Sequence, residues 1–391
     1  MRIESIIIIL DILLWIIIAA NVMYILFFAL ASLLPKKKHH PSSIIHLPSY
    51  LILFPAYHED AVIIDSVKSF LQQDYPKELY QVVVISDNMT QKTNKQLSEL
   101  PITLLQPTYE QSSKAKALQY AISRLSPLTS YLYVIILDAD NVVAPNFLTE
   151  LSQIANSNQA IQCHRTAKNA DNDIAVLDGL SEEINNSIFR KGHNRIGMSS
   201  ALIGSGMCFN YHWFKENVSK LDSVVEDREL EALLMKQGIY IHYAEDIHVR
   251  DEKVSNSDNF QRQRLRWMTG QVQTFFRMLP YIPKAIITGN INYIDKTIQQ
   301  ALIPRSFLII VVPLLTFVSF FAFQWSYPSI MWTGLSLILI TALFIAIPRR
   351  LRSKAIFKKV FYIPGLVWQM LKNTVRIRTN NKEFIHTTHH Q

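Results

Sequence analysis

The segment Val134-Ile-Ile-Leu-Asp-Ala-Asp-Asn141 predicts a buried strand that ends abruptly in acidic residues. Its first four residues are apolar and mostly β-branched, which is typical of a short strand covered on both faces. Asp138 and Asp140 then fall at the carboxyl edge of the sheet, where open α/β sheets bind ligands. Two carboxylates this close together can hold Mg²⁺ or Mn²⁺, with the phosphates of a ligand completing the coordination shell. The alternative is a turn in which the two acids only cap backbone amides.

An earlier part of the chain twice repeats this pattern of a buried strand ending in polar groups. Residues 51–54 are apolar and run into Pro55-Ala-Tyr-His-Glu59, and the mostly apolar residues 81–86 end at Asp87. A helical pattern lies between them, from about Ala61 to Gln73. A strand, a helix and a second strand in this order predict a parallel βαβ unit, with the polar ends of both strands at one edge.

A further strand and helix lead to the acidic segment. A short strand near Ile102–Leu105 precedes a helix from Ser113 to Leu125, which carries Lys114 near its start. Together these elements predict an α/β fold that binds a nucleotide. The sequence contains neither a Gly-x-Gly-x-x-Gly nor a P-loop motif, so phosphate contacts have to come from a metal and from side chains.

The second half of the polar region adds three helices, a strand and a glycine turn. An amphipathic helix is predicted from Asp171 to Arg195. Gly204-Ser205-Gly206 predicts a tight turn at which the backbone can approach a ligand closely. Glu226-Asp227 lies at the start of a helix, Ile239–Ala244 is a strand, and Phe260–Phe276 is a helix dense in arginine and glutamine.

The composition points to a membrane. The 391 residues are 49% hydrophobic, with a mean hydropathy of +0.12, which is high for a soluble protein. The formal net charge of +8 fits an anionic partner, such as a membrane surface, nucleic acid or a phosphorylated substrate. Because Cys163 and Cys208 are the only cysteines, the sequence indicates neither a disulfide framework nor a thiolate zinc site, which suits a reducing compartment.

Three apolar stretches predict membrane-spanning helices. Ile6–Leu34 exceeds the roughly 20 residues that a spanning helix needs, and it is too long for the core of a signal peptide. Phe307–Trp325 and Ile330–Ile347 are the other two stretches. The basic runs Lys36–His40 and Arg349–Arg352 place the chain after the first and after the third stretch in the cytosol.

Two segments near these stretches have open interpretations. Asp11 interrupts the first apolar stretch, and we expect it near the outer interface rather than as a functional carboxylate. Residues 356–371 mix lysines with aromatic residues and predict an interfacial segment, although a further short span there is an alternative.

Several motifs between Pro55 and Trp267 carry a family resemblance. They are Pro55-Ala-Tyr-x-Glu59, Gln73-Asp-Tyr-Pro76, Asp87, Lys114, Asp138-x-Asp140, Glu226-Asp227 and Gln263-x-x-Arg266-Trp267. In this order the chain resembles a membrane-embedded family 2 glycosyltransferase, similar to the processive synthases of cellulose, chitin, hyaluronan and poly-N-acetylglucosamine. The resemblance implies an α/β fold of the nucleotide-sugar-binding (GT-A-like) type, with transmembrane and interfacial helices, and an inverting single displacement.

The resemblance also divides the chain into five parts. They are an N-terminal transmembrane helix with a basic linker (1–40), a cytosolic glycosyltransferase domain (41–279), interfacial helices (280–306), two transmembrane helices (307–348) and a cytosolic or interfacial basic tail (349–391).

The resemblance implies a site for the sugar donor. Tyr57, Glu59 and Asp87 would hold the uridine part of a UDP-sugar, in the motif that also contains Pro55 and Ala56. The phosphate-binding group comes from other motifs. Lys114 would reach the diphosphate, and Asp138 and Asp140 would hold the nucleotide and its Mg²⁺ or Mn²⁺, beside the backbone of Gly204 and Ser205.

The catalytic groups follow from the last two motifs. Asp227 matches the family's general base, which takes the proton of the attacking hydroxyl, and Glu226 lies next to it. Arg266 would stabilise the departing diphosphate, since a guanidinium can grip phosphate in a bidentate way. Gln263 belongs to the same motif, and Trp267 offers a flat face for an acceptor sugar.

Simpler interpretations apply to some of these residues. Glu226 and Asp227 could be acids favoured by a helix dipole, which we consider less fitting for Asp227. Arg262 and Arg264 are expected to face anionic lipid, whereas Arg266 is not, because of its spacing to Gln263 and Trp267.

Other positions concern structure or the choice of donor. We interpret Cys163 and His164 as structural and Lys116 as solvated. His58 stands where the family usually has asparagine, and Ser86-Asp-Asn88 replaces paired acids followed by glycine. These departures bear on the choice of donor rather than on the fold.

Two functions remain open at this point. The first is transfer from a UDP-sugar to the growing end of a β-linked polysaccharide at the cytosolic face of the inner (plasma) membrane. Because the predicted spans are few, export of the polymer would then need interfacial helices, a second copy or an accessory subunit. The second is a single transfer to a lipid-linked or glycan acceptor. The retained carboxylates argue against a silent scaffold, and the lack of clustered aromatics among the basic residues, together with the apolar spans, argues against nucleic acid.

Overall fold

The computed structural model describes residues 3–36, 46–125, 131–170, 172–223, 225–253, 257–323, 327–353 and 365. Within the start of the helix after residue 256, the side chains of residues 257–262 are not described either. The predictions for Arg262, for residues 356–371 and for most of the basic tail therefore lie outside the described part of the chain.

The described strands form one mixed sheet. They are β1 (Tyr50–Tyr57), β2 (Tyr80–Asp87), β3 (Thr103–Leu105), β4 (Tyr133–Ile136), β5 (Val142–Val143), β6 (Ala160–Ala167), β7 (Met207–Asn210) and β8 (Ile241–Asp251). The strand order is β3-β2-β1-β4-β7-β6-β8-β5. β1 to β4 run parallel, β7 is antiparallel to β4 and β6, β8 is parallel to β6, and β5 is antiparallel to β8.

Helices cover both faces of the sheet and extend away from it. They are α1 (Ile3–Ala31), α2 (Ile63–Phe70), α3 (Gln91–Ser98), α4 (Lys114–Arg124), α5 (Phe147–Ala155), α6 (Asp173–Asn185), α7 (His193–Arg195), α8 (Tyr211–Asn217), α9 (Glu226–Lys236), α10 (Ser257–Met278), α11 (Ile282–Ile287), α12 (Ile291–Ala301), α13 (Arg305–Phe323) and α14 (Tyr327–Ala346). A π-helical segment, Asn186–Gly192, joins α6 to α7. Short 3-10 turns occur at Lys77–Leu79, Val218–Lys220, Leu279–Tyr281 and Arg349–Leu351.

The central strands are buried on both faces, as their apolar runs predict. In β1, the side chains of Ile52 and Phe54 belong to one core cluster, and those of Leu51 and Leu53 belong to the cluster on the opposite face. This alternation is the pleat of a strand covered by helices on each side. The parallel βαβ unit predicted for the first part of the chain is therefore confirmed.

The strand before the acids is shorter than its apolar run. β4 ends at Ile136, and the backbone amide of Leu137 still donates to the carbonyl of Leu53 at 3.0 Å. The chain then turns, so both aspartates lie just beyond the carboxyl end of the strand. The sequence did not predict β6, because it carries the polar residues Gln162 and Arg165, both of which are buried and hydrogen-bonded.

Three helices of the described chain are long and apolar enough to cross a membrane, namely the segments Ser5–Ala31, Arg305–Ala322 and Tyr327–Ala346. α14 packs against both α1 and α13. Asp11 is part of this packing, since its Oδ1 accepts a hydrogen bond from Nε1 of Trp332 at 3.0 Å. The carboxylate therefore has a partner inside the helix group.

α12 shows how the segment between the catalytic region and the last two long helices is held. One of its faces packs on α9 and α10 and buries Tyr293, whereas Asp295 is buried against Tyr24 of α1 and His193 of α7. The interfacial placement of residues 280–306, like the rest of the division into five parts, stays a prediction.

Candidate active site

A cavity of about 510 Å³ opens where the parallel strands end. Its polar end is lined by Tyr57 and Asp87, which terminate β1 and β2. Its opposite end reaches Ile25 on α1 and Ile309 on α13. The cavity therefore connects the edge of the sheet to two of the three long apolar helices.

The predicted donor residues come together at the polar end. Pro55, Ala56, Tyr57, Glu59 and Asp87 all line the cavity. Burial raises the pKa of Asp87, although the hydroxyl of Ser112 and the nearby His58 act in the opposite direction.

Two of the positions that depart from the family pattern, His58 and Asn88, share a backbone conformation. His58 and Asn88 both have φ of 54°, and the amide of His58 donates to the carbonyl of Asp87 at 3.3 Å. Asparagine and histidine tolerate this left-handed conformation better than most side chains do. The residue types at both positions therefore suit the turns that follow β1 and β2.

Lys114 joins three parts of the site. Its Nζ lies 2.5 Å from Oδ1 of Asp138, 2.6 Å from the carbonyl oxygen of Gly204 and 3.3 Å from Oε1 of Glu226. It occupies the first turn of α4, which Ser113 caps by accepting from the amide of Lys116. Burial alone would lower the pKa of Lys114, but Asp138 and Glu226 raise it above its ordinary value, so the ammonium group stays charged.

Asn141 positions the acidic pair. Its Oδ1 accepts from the amide of Asp138 at 3.0 Å, and its Nδ2 donates to Oδ1 of Asp140 at 3.0 Å. Oδ2 of Asp140 accepts from the amide of Glu252 at 2.7 Å. Asp140 therefore does bind a backbone amide, as the capping alternative predicts. Both acids nevertheless also line the cavity.

The acidic pair fits a hard divalent cation by its chemistry. Asp138 and Asp140 are carboxylates one residue apart in the same cavity wall, and Mg²⁺ commonly binds to one or two carboxylates together with substrate phosphates. Within the described residues no group of three or more His, Cys, Asp or Glu side chains is arranged to hold a metal without such a ligand.

Glu226 and Asp227 open α9 and line the cavity opposite the glycine turn. Burial and, to a smaller extent, the charge of Asp227 raise the pKa of Glu226 to about 7, against the opposing effect of Lys114. Oδ1 of Asp227 accepts from the amide of Arg228 at 2.8 Å. A Cβ placed on Gly204, whose φ is +89°, would lie 3.6 Å from Oδ2 of Asp227. The small residue at 204 thus leaves room beside this carboxylate.

α10 brings its whole motif to the cavity. Gln263, Arg266 and Trp267 all line it, and the positive charge of Arg266 acts on Asp138. Arg264 lines it too, forming an ion pair with Asp178 and lying with its guanidinium carbon 4.7 Å from the ring centroid of Trp267. The prediction that Arg264 faces lipid is therefore wrong, because an aspartate and an indole inside the protein compete for it successfully.

Ser205 does not line the cavity, unlike its neighbour Gly204. Its side chain is fully buried, and its carbonyl oxygen accepts from Nε2 of Gln162 at 2.9 Å. Cys163 is buried, and His164 bonds to Glu183 at 3.2 Å and to the carbonyl of Glu245 at 3.1 Å, in keeping with structural roles.

A buried charged cluster beside the acidic pair was not predicted. Nε of Arg165 lies 3.1 Å from Oε1 of Glu182 and 3.3 Å from Oδ2 of Asp251, and Lys253 forms ion pairs with both acids. All four residues line the cavity. They come from β6, α6 and the end of β8, so no local pattern in the sequence connects them.

Residues 48–270 match the family described as "Glycosyltransferase like family 2", which is more than half of the chain. The chain belongs to glycosyltransferase family 2. The predicted family is therefore confirmed at this level.

The glycosyltransferase has curated relatives named beta-monoglucosyldiacylglycerol synthase. It is 24% identical to the protein of Nostoc sp. (strain PCC 7120 / SAG 25.82 / UTEX 2576) over 259 residues, which are 63% of this chain and 54% of the relative. It is also 24% identical to the protein of Trichormus variabilis (strain ATCC 29413 / PCC 7937) over 240 residues, which are 59% and 50% of the two chains. The chain thus spans about half the length of these relatives.

A solved structure resembles the glycosyltransferase over most of its length. This is the mannosyltransferase PcManGT from Pyrobaculum calidifontis in complex with GDP-Man and Mn²⁺, with a TM-score of 0.55 and 15% sequence identity. The match covers 85% of this chain and 96% of PcManGT. The predicted α/β, GT-A-like fold is confirmed.

Proposed function

We propose that this enzyme transfers a single sugar from a UDP-sugar to a hydroxyl group of a membrane lipid. The observation that carries the proposal is the course of the cavity, which runs from Tyr57 and Asp87 to Ile25 and Ile309 on the long apolar helices. An acceptor anchored in a bilayer could enter from that apolar end and present its hydroxyl to the donor. The names of the curated relatives, which specify a glucosyl lipid, support the same class of acceptor.

The acids at the start of α9 suit the proton transfer. The acceptor hydroxyl must lose a proton as its oxygen attacks the anomeric carbon, and a positioned carboxylate can accept that proton. Asp227 fits this role better than Glu226. Glu226 is held by Lys114 at 3.3 Å and has a raised pKa, whereas Asp227 is partly exposed and lies beside the open space at Gly204.

The leaving group is a diphosphate that gathers negative charge as the glycosidic bond of the donor breaks. Lys114 and Arg266 are the cations positioned to stabilise that charge, since the first contacts Asp138 and the second acts on it electrostatically. A Mg²⁺ or Mn²⁺ ion held by Asp138 and Asp140 would neutralise the diphosphate further. Attack and departure on opposite sides of the anomeric carbon invert its configuration.

The proposed location is a cell (plasma) membrane with the catalytic domain in the cytosol. The positively charged residues Lys36, Arg349, Arg350 and Arg352 support this orientation, because they flank the first and last long helices on the side of the catalytic domain. Nucleotide sugars would then reach the site directly from the cytosol.

The test is a product analysis with purified full-length protein. The protein is incubated with UDP-glucose, UDP-galactose or UDP-N-acetylglucosamine, with Mg²⁺ or Mn²⁺, and with a lipid that has a free hydroxyl, either dioctanoylglycerol or dioctanoyl phosphatidylglycerol. Asp227→Asn is the inactive control. We expect a product heavier than the acceptor by one sugar. A ladder of longer products, or sugar incorporation without any lipid, would exclude the single transfer.

Synthesis of a β-linked polysaccharide is the second candidate, favoured by the position of Gln263, Arg266 and Trp267 in the cavity wall. A flat indole can hold the terminal sugar of a growing chain while still letting it advance. One face of Trp267 is covered by Arg264 at 4.7 Å, so a sugar would have to use the other face. Trp267→Ala should then shorten the product without weakening UDP binding, whereas Phe276→Ala, an exposed position of α10, should change neither.

A further inference from the structure

Three of the arginines that line the cavity form a group, and two of these three belong to elements that contact or begin a long apolar helix. They are Arg190 from the π-helical segment, Arg264 from α10 and Arg305 from the start of α13. All three contact polar groups between residues 178 and 186, on α6 and the residue that follows it, so the three side chains are gathered along one helix. We call these three residues the arginine cluster.

The acceptors around the arginine cluster compensate only part of its charge. Arg264 is paired with Asp178. Arg305 donates to neutral groups, the carbonyl of Ser181 at 3.0 Å and Oδ1 of Asn185 at 2.7 Å, and it forms no ion pair with a described carboxylate. Among the carboxylates that the structure describes, Asp178 is the one that pairs directly with this cluster.

Arg190 is the least compensated member of the arginine cluster. It is 4% exposed, it donates to Oδ1 of Asn186 at 3.0 Å, and its Nε has no hydrogen-bond partner among the described residues. Glu182 attracts it from a distance but is already bound by Arg165 and Lys253. Burial accordingly lowers the pKa of Arg190. A buried arginine in this state is stabilised by an anion that brings its own negative charge.

The position of the arginine cluster indicates where that anion would come from. Arg305 is the first residue of a segment that is long and apolar enough to cross a membrane, and Ile25 and Ile309 lie at the same end of the cavity. The ends of membrane-spanning helices lie at the level of the lipid headgroups. A phosphate attached to acyl chains can place its charge on the arginines and its chains along the apolar helices.

We propose that the arginine cluster binds the phosphate group of a phosphate-bearing lipid, which enters the cavity as the acceptor. This inference rests on the proposed function, which it narrows from membrane lipids in general to lipids that carry an anionic phosphate beside the accepting hydroxyl. Phosphatidic acid has the phosphate but no alcohol hydroxyl, so it serves as a probe of binding alone. Guanidinium groups suit this ligand because they form bidentate, charge-assisted hydrogen bonds to phosphate oxygens.

The test is a binding comparison that does not depend on sugar transfer. Full-length protein is purified in an uncharged polyoxyethylene detergent, which carries neither phosphate nor sugar, and titrated with dioctanoyl phosphatidic acid, dioctanoylglycerol or inorganic phosphate. We expect phosphatidic acid to bind at least about 10-fold more tightly than dioctanoylglycerol, in line with charge-assisted hydrogen bonds to the phosphate. Inorganic phosphate should not displace it at the same concentration.

Variants assign the binding to the arginine cluster. Arg305→Gln should weaken the binding of phosphatidic acid about 10-fold and leave the binding of dioctanoylglycerol unchanged. Arg305→Lys should retain most of the affinity for phosphatidic acid. Arg190→Gln should have the same effect as Arg305→Gln. Lys116→Gln, which removes an exposed positive charge elsewhere, is the control for general attraction of an anion to a basic protein. Unchanged UDP affinity in each variant shows that the fold is intact.

The outcomes separate this inference from the proposed function. Equal affinity of the wild-type protein for the two lipids, or equal weakening by Lys116→Gln, would overturn the arginine site. If inorganic phosphate displaced phosphatidic acid at the same concentration, the site would bind free phosphate rather than the phosphate of a lipid. Absence of sugar transfer to any lipid refutes the proposed function alone, because the binding comparison remains interpretable.

Discussion

Gly270 on α10 lies against Val225, the residue that precedes the two acids of α9. A Cβ built on Gly270 would lie 2.5 Å from Cγ1 and 2.7 Å from Cγ2 of Val225, closer than non-bonded carbon atoms approach. α10 also carries Arg266 and Trp267, and α9 begins with Glu226. The contact therefore sets the distance between the two halves of the candidate active site.

Gly270→Ala should consequently lower activity by displacing the catalytic groups rather than by removing one of them. The added methyl group forces α10 away from α9, and overpacking of this kind costs about 1–3 kcal/mol. Because a small misplacement of catalytic groups can cost up to about 10²-fold in rate, we expect turnover to fall by about 10–100-fold. Gly334→Ala on α14, where a Cβ would meet nothing within 4 Å, is the matched control and should keep wild-type activity. Equal turnover in all three proteins would contradict this role of the contact.

Asp140→Ala should abolish the metal-supported part of UDP binding. The carboxylate is 5% exposed and held by Asn141 and the amide of Glu252, so it is oriented before any ligand arrives. Titration of UDP with and without Mn²⁺ measures the effect. The affinity for UDP in the presence of Mn²⁺ should fall by more than about 10–100-fold, which is the usual effect of removing a residue that only hydrogen-bonds to a metal ligand. Asp65→Ala, an exposed position in α2, is the control. If Mn²⁺ still strengthens UDP binding in Asp140→Ala as in the wild type, the metal lies elsewhere.

Asp227→Asn should keep the fold and the affinity for UDP while losing transfer. The amide is nearly the same size but cannot take a proton from the acceptor, and removal of a positioned base typically costs about 10²–10⁴-fold in rate. Single-turnover rates with a saturating acceptor, beside UDP titrations, separate chemistry from binding. Glu226→Gln is the informative comparison. A larger rate loss in Glu226→Gln than in Asp227→Asn would assign the base to Glu226.

His193 should make the stability of the protein depend on pH. The ring is fully buried, stacks on Phe28 at 3.5 Å, and bonds through Nδ1 to the carbonyl of Ile188 at 2.8 Å. Burial and the charge of Lys296 lower its pKa from 6.5 to about 4. Between these values the unfolded chain takes up a proton that the native protein does not. Stability is therefore lost as the pH falls from 6.5 to 4, by about 3 kcal/mol, and is unaffected above 6.5.

The measurement is the difference in unfolding free energy between wild type and His193→Gln, in detergent, at pH 7 and pH 4. A difference is needed because burial raises the pKa of both Glu226 and Asp251 to about 7. Those two carboxyls add stability as the pH falls, in both proteins alike. The advantage of the wild type over His193→Gln should shrink by about 3 kcal/mol between the two pH values. A difference that stays constant would mean that His193 does not titrate on unfolding.

The orientation in the membrane can be tested by thiol labelling in intact cells. The native Cys163 and Cys208 are buried, so introduced cysteines dominate the signal. Lys95→Cys on α3 should resist a membrane-impermeant reagent until the cells are permeabilised, because the proposed orientation has this domain in the cytosol. Tyr327→Cys, an exposed position between the last two long helices, should label at once. The reverse pattern would invert the proposed orientation.

Much of the fold follows from local patterns. The apolar residues of β1 and β2, followed at once by polar ones, predicted both strands and the edge at which they end. The long apolar helices and the start of α9 at Glu226 were equally visible. These features depend on neighbouring residues in the chain, because burial of a strand or helix face imposes its own period on the sequence.

The limits of that prediction show at individual residues. β6 was missed because Gln162 and Arg165 are polar, and only their distant partners make their burial favourable. Arg264 appeared to belong to a basic surface until Asp178, on another helix, was seen to pair with it. In both cases the partner lies far away in the sequence, so no local period could reveal it.

By itself, the sequence determined that a nucleotide-binding α/β sheet ends in paired acids and that long apolar helices flank it, since both are written in composition and periodicity. Only the tertiary structure decided which of the polar residues share one cavity. Lys114 contacts three partners, Asp138, Gly204 and Glu226, of which the farthest is 112 residues away in the sequence. The three members of the arginine cluster come from three separate elements. The reason is physical: the interactions of a buried charge depend on distance in space, which the order of residues along the chain does not specify.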